Sequence, residues 1–148
     1  MIKMTQEEVN EAIRLHGLWL KGSTAGKRAD FSGKDLAWLD FKGADLSRAD
    51  LRCADLRGAD LSGADLSLAD LSDADLILTD LRGANLTRAD LIHADLTDAN
   101  LNVADLRGAD LSGVDFTSAS CIGTIWLGAV YSSKTILPDL KDSMFLED

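Results

Sequence analysis

From Ala29 to Ser118 the chain repeats a five-residue unit eighteen times without insertion or deletion, from ADFSG and KDLAW to ADLSG and VDFTS. The third position is Leu fifteen times and Phe three times (Phe31, Phe41, Phe116). The second is Asp sixteen times and Asn twice (Asn85, Asn100), and the first is Ala except at Lys34, Leu39, Thr79 and Val114. A period of five matches neither the 3.6 of a helix nor the 2 of a strand, so neither element keeps all the Leu and Phe side chains on one buried face. A coil does. If each pentad forms a straight edge and the chain then turns by about a right angle, four pentads close a square, and third-position side chains meet at its axis. Successive coils stack like parallel strands about 4.8 Å apart. Small Ala at the first position shares the interior, while the second, fourth and fifth positions face outward. Gly at seven fifth positions, Gly33, Gly43, Gly58, Gly63, Gly83, Gly108 and Gly113, supplies the corner conformations.

This pattern resembles the pentapeptide repeat family, whose units read approximately A-D/N-L-x-x. The resemblance implies an all-β solenoid, a right-handed quadrilateral parallel β-helix of about five coils. It continues in degraded form through ASCIG, TIWLG and AVYSS to about Ser133. An interior of eighteen Leu or Phe is sufficient without metal or disulfide.

A solenoid leaves an apolar cross-section and unpaired edges at each end, so it needs caps. Thr5 followed by Glu8 is a capping-box signature, and Val9, Ala12, Ile13, His16, Trp19 and Leu20 recur at helical spacing until Lys21 and Gly22. Residues 5–21 are therefore expected to form an amphipathic helix covering a first coil made bulky by Phe31, Leu39 and Phe41. His16 on its apolar side reads as a packed core residue with one nitrogen satisfied. At the other end Phe116, Trp126 and Tyr131 are expected inside, with Leu137, Leu140, Met144 and Phe145 folded over the last coil. The resulting organisation is an N-terminal α-helical cap and linker (1–28), a repeat β-solenoid (29–133), and a C-terminal cap or tail (134–148).

Asp and Glu number 25 against 15 Lys and Arg, a net charge of -10, which argues against direct nucleic-acid or anionic-membrane binding. No run approaches a membrane span, and MIKMTQEEVN lacks the charged-then-apolar order of a signal peptide, so a cytoplasmic location is expected. The two cysteines, Cys53 and Cys121, lie more than three coils apart, too far for a disulfide. Residues twenty apart should stack, which places Gly33, Cys53, Asp73, His93 and Gly113 in one column. Cys53 and His93 are then about 9.6 Å apart with Asp73 between them, the wrong order for a nucleophile and its base and short of a metal's ligand set. We expect no catalytic, cofactor or metal site, and no enzyme.

The Asp ladders admit two readings. In one, the carboxylates accept hydrogen bonds from nearby backbone N–H groups, as Asx side chains do, with Asn85 and Asn100 as equivalents. In the other they imitate a nucleic-acid backbone, since the resemblance includes bacterial proteins that resemble DNA and bind gyrase. Residues 29–118 hold 18 Asp against eight Lys or Arg, and Arg48, Arg52, Arg57, Arg82, Arg88 and Arg107 interrupt the negative field. Trp38, Gly58 and Leu78 share a fifth-position column, with Ala37 and Ile77 beside them and Leu68 on another face. Trp38, Ile77 and Leu78, with Asp55, Asp75 and Asp95, form the candidate interaction surface. The competing reading packs Trp38 under the N-terminal helix. The expected function is a non-enzymatic scaffold or protein-interaction module, a monomer or end-to-end dimer presenting flat faces to an unknown protein partner. The alternative is a DNA mimic that binds a DNA-binding enzyme such as gyrase.

Overall fold

A computed structural model describes residues 1–138; Leu140, Met144 and Phe145 lie outside them. The element order is a short strand β1 (Ile2–Lys3), a helix α1 (Gln6–Leu20) and a short strand β2 (Lys34–Asp35) at the start of the repeats. Beyond β2 the repeats are held by single parallel bridges. Each second-position residue from Asp30 to Asp110 pairs with the residue twenty further on, as in Asp30 with Asp50 and Asp110 with Val130. The final bridge, Asp115 with Ile136, spans one residue more. Pentads consequently stack in four columns, named here face 1 (from 29–33), face 2 (from 34–38), face 3 (from 39–43) and face 4 (from 44–48).

Buried backbone donors need partners, and one pentad shows how each is met. In 54–58, Asp55 N–H donates down to Lys34 C=O, while Leu56 and Gly58 N–H donate up to Asp75 and Ile77 C=O. Ala54 N–H closes the preceding turn on Leu51 C=O. Arg57 N–H, which no neighbouring coil reaches, goes to the Asp55 side chain at 3.1 Å. All five donors are satisfied.

The turn between pentads has its third residue in the left-handed region at every fifth position from Gly33 to Gly128. Sequence reasoning reserved this conformation for seven glycines; eleven other side chains adopt it, including Trp38, Leu68, Leu78 and Val103. The position imposes the positive φ, because inter-coil hydrogen bonds fix the corner whichever residue occupies it.

The interior is as the period requires. Every third-position Leu and Phe from Phe31 to Phe116 is buried, with most first-position Ala beside them. Thr79, an uncharged polar residue at a first position, is fully buried and donates its hydroxyl to Leu56 C=O at 2.9 Å. Thr124 does the same to Leu101. The second position is not simply outward: Asp50 and Asp55 are buried and most of the others half-buried, because their carboxylates fold back onto the turn.

Helix α1 begins at the Thr5 N-cap, with both halves of the Thr5–Glu8 capping box formed. It buries Val9 and His16. His16 is satisfied at both nitrogens: Ala29 N–H donates to Nδ1 at 3.0 Å, which leaves Nε2 to carry the proton and donate to Ser47 C=O at 2.8 Å. β1, absent from the sequence reading, pairs parallel beneath β2, setting Lys3 against Asp35. At the other end Phe116 is buried, and the partly buried Trp126 meets it edge to face at 5.5 Å. Tyr131 departs from its expected interior place and is 42% exposed, since no further coil stacks on it among the described residues. Leu137 is likewise exposed.

Candidate functional site

The chemistry of the outer surface begins with the second-position side chain. All eighteen, Asp and Asn alike, accept a hydrogen bond from the backbone N–H two residues on, at 2.8–3.3 Å. This is the Asx geometry, and a short side chain with an acceptor at Oδ1 is what it demands. Most fourth-position Ser and Thr add a hydroxyl donor to the same oxygen, as Ser62 does to Asp60 at 2.6 Å. Fourth-position Arg instead forks onto its own Asp: Arg52 on Asp50, Arg57 on Asp55, Arg82 on Asp80 and Arg107 on Asp105. These side-chain hydrogen bonds hold the carboxyls of Asp50, Asp55, Asp80 and Asp105 below the usual range, and Ser32 does so for Asp30. Asp75 goes the other way: burial raises it, and repulsion from Asp55 and Asp95 adds to the rise.

The four faces differ in charge. Through Gly128, face 1 carries six Asp against Arg52 alone, and face 2 six Asp against Lys34 and Arg57. Face 3 carries three Asp against Lys42 and Arg82, and face 4 three Asp against Arg48, Arg88 and Arg107. The negative charge is thus concentrated on two adjacent faces, and the other two are close to neutral. Sorting residues by twenty was enough to find this; counting charges over the whole repeat hid it.

Face 2 brings together all six residues of the candidate surface. Trp38 does not pack under α1: it is 71% exposed. Its ring lies against the next coil, where a side chain at Gly58 would meet the indole at 2.2 Å. Leu78, one coil further, is 54% exposed, and Ile77 half-buried. The Asp column of this face is unevenly neutralised. Lys3 reaches Asp35 at 3.2 Å, and Arg57, forked on Asp55, also approaches Asp75 at 3.5 Å. Asp95, Asp98 and Asp115 have no ion pair among the described residues. Asp55 is therefore committed to Arg57, whereas Asp95 remains uncompensated.

The Cys, Asp and His column lies on face 1. His93 Nδ1 stands 3.6 Å from Asp73 Oδ1, both side chains being largely exposed. Cys53 is exposed and Cys121 buried, both as free thiols, and burial pushes the Cys121 thiol up to about 12. Among the described residues no three His, Cys, Asp or Glu side chains converge as metal ligands. A cleft beside α1, lined by Glu8, Glu11, Leu15, Lys27 and Arg28 among others, pairs no nucleophile with a base. No helix of the described residues is long and apolar enough to cross a membrane.

The model of pentapeptide repeats matches residues 29–67, 64–102 and 94–125, in eight copies. The chain belongs to the pentapeptide repeat family. Among solved pentapeptide repeat proteins it is similar to Rfr23 from the cyanobacterium Cyanothece 51142, at 31% identity over 73% of this chain and 87% of that one, with a TM-score of 0.43. It is also similar to a pentapeptide repeat protein from Nostoc PCC 7120, at 31% identity over 93% and 88% of the two chains, with a TM-score of 0.35. QnrB1, a plasmid-mediated fluoroquinolone resistance protein, is 20% identical over 80% of this chain and 73% of its own, with a TM-score of 0.49. No curated protein matches the chain. Pentapeptide repeat proteins are structural and interaction modules as a rule, and the exposed chemistry described above is of that kind.

Proposed function

We propose that this pentapeptide repeat protein is a non-enzymatic interaction module whose face 2 docks a protein partner. The right-handed, four-sided β-helical course, the capping role of residues 1–28, and action in the bacterial cytoplasm belong to the same proposal. Two free thiols suit a reducing compartment. The observation that carries the reading is Trp38. A Trp buries more apolar area than any other side chain and is favoured at the centre of interfaces. Here it stands 71% exposed, in a left-handed backbone that disfavours bulky residues, with Leu78 exposed in the same column. Neither burial nor backbone preference accounts for it. Trp38→Gly keeps the backbone conformation and removes only the ring. In affinity capture from the native host, the wild type is expected to retain a protein that Trp38→Gly does not; identical retention by both would remove face 2 from the proposal.

A second reading, mimicry of duplex DNA toward an enzyme such as gyrase, is favoured by the acidity of faces 1 and 2. The near-neutral faces 3 and 4 weigh against it, because a duplex carries its phosphates on both strands throughout.

A further inference from the structure

We infer that face 2 takes an extended, Lys- and Arg-rich segment of a partner protein, lying along the coil axis with an apolar residue on Trp38 and Leu78 and its cations beside Asp95, Asp98 and Asp115. The inference rests on the interaction-module reading and adds the chemistry and direction of the partner.

Three observations converge on it. The first is coincidence of charge and apolar surface. Face 1 is as acidic, but from its first pentad to Gly113 it exposes no large apolar side chain. Faces 3 and 4 expose Val103 and Leu68, yet are close to neutral. Within the regular repeats, only face 2 joins an exposed aromatic to uncompensated carboxylates.

The second is order along the axis. The cations of face 2, Lys3, Lys34 and Arg57, all lie in its first two coils or beneath them, and beyond Arg57 every charged residue to Asp115 is Asp. Trp38 therefore sits toward the screened end and the unpaired charge toward the other. A ligand complementary to this is apolar at one end and cationic at the other. The four coil steps from Trp38 to Asp115 cover about 19 Å, the length of roughly six extended residues.

The third concerns how the segment would be held. The N–H groups of a face 2 pentad are all satisfied within the solenoid, so strand addition to its wall is closed to a partner. Side chains must carry the contact. The Trp38 ring, set flat above Gly58, presents its outer π-face to an alkyl or cationic group, and the carboxylates offer direct pairing.

Random dodecapeptides displayed on phage and panned against the full chain at low salt test this. Enriched peptides are expected to be basic with one large apolar residue, and to weaken as salt is raised. Their binding should fall by about tenfold or more with Trp38→Gly, and likewise with Asp95→Asn, Asp98→Asn and Asp115→Asn combined. The same three charges removed from face 1, by Asp73→Asn, Asp90→Asn and Asp110→Asn, should change it by no more than about twofold, which separates a site from a general field. Folding is protected in both sets: at second positions Asn85 and Asn100 already make the Asx hydrogen bond, and Asp73 and Asp98 stand at left-handed corners, a conformation Asn adopts as readily as Asp. Acidic or neutral winners, or equal losses from the two triple variants, overturn the inference. If no peptide is enriched while a host protein is still captured through Trp38, the inference fails and the proposed function stands; if neither is retained, both fail.

Discussion

The side-chain amide of Gln6 makes both hydrogen bonds that a coil beneath Asp40 would make: Nε2 donates to Asp40 C=O at 2.7 Å and Oε1 accepts from Asp40 N–H at 2.8 Å. With β1 beneath β2, and His16 on Ser47, the N-terminal segment closes the lower edge of the first coil on faces 2, 3 and 4. An edge closed in this way offers no template to another chain. Deleting residues 1–24 should expose it, together with Phe31 and Phe41, and light scattering should then show end-to-end association. The single change Gln6→Ala is expected to lower stability by about 0.5–1.5 kcal/mol, the net worth of hydrogen bonds whose freed partners water can reach. A monomeric truncated protein of unchanged melting temperature would assign the helix to a partner instead.

The Asx hydrogen bonds make a distinction between two small substitutions. Asp60→Asn preserves the acceptor for Ser62 N–H, as the natural Asn85 does for Thr87, and should leave stability within about 0.5 kcal/mol. Asp60→Ala removes the acceptor and should cost about 1 kcal/mol or more. Denaturant midpoints of the two variants decide it; equal midpoints would mean that the ladder is retained for its charge.

Acid titration tests the same ladder with a definite sign. Asp30, Asp50, Asp55, Asp80 and Asp105 are held below their unfolded value, so the stability they confer is present above about pH 3.9 and is lost as pH falls through their folded values. Asp75, raised by burial, works oppositely and is relieved as pH falls toward that same value. Five against one predicts a denaturant midpoint that does not rise appreciably from pH 7 to pH 5 and declines below about pH 4. A clear rise at pH 5 in low salt would show that repulsion between stacked carboxylates dominates.

The period of five carried the stacking by twenty, the inward Leu and Phe and the Asx role of Asp, because each follows from side-chain spacing and reach. It did not carry the left-handed corners at Trp38, Leu78 or Val103, whose conformation comes from hydrogen bonds between coils rather than from residue preference. Nor did it reveal β1, where Ile2 and Lys3 match no repeat and are ordered by pairing with Lys34 and Asp35. Within the candidate surface, Trp38, Ile77, Leu78 and Asp95 were legible as one column set. The pairing of Asp55 with Arg57 was not legible, because the fork depends on a rotamer that sequence does not specify.

Val103 offers a test of corner strain. It is β-branched, 65% exposed and at φ 55, a combination with little packing to offset an unfavourable backbone. Val103→Gly removes a left-handed penalty of about 1–2 kcal/mol and loses about 0.5–1 kcal/mol to the greater freedom of the unfolded chain. A modest rise in melting temperature is expected; a fall would mean that the contact of Val103 with Gly123 on the next coil outweighs the strain.

Purified gyrase provides the sharpest separation between the interaction-module and mimic readings. About five coils at 4.8 Å give roughly 24 Å, the length of only about seven base pairs, and two of the four faces lack the charge of a duplex. Arg52, Arg57, Arg82 and Arg107, forked onto their own carboxylates, reduce the field further. We expect no inhibition of DNA supercoiling at submicromolar protein, with or without a quinolone. An end-to-end dimer would double the length, so the assay belongs with a light-scattering mass at the same concentration. Inhibition or drug protection that disappears with Asp55→Asn, Asp75→Asn and Asp95→Asn would place the mimic first, since those changes keep the Asx hydrogen bonds of the ladder and remove its charge, at the cost of one arm of the Arg57 fork.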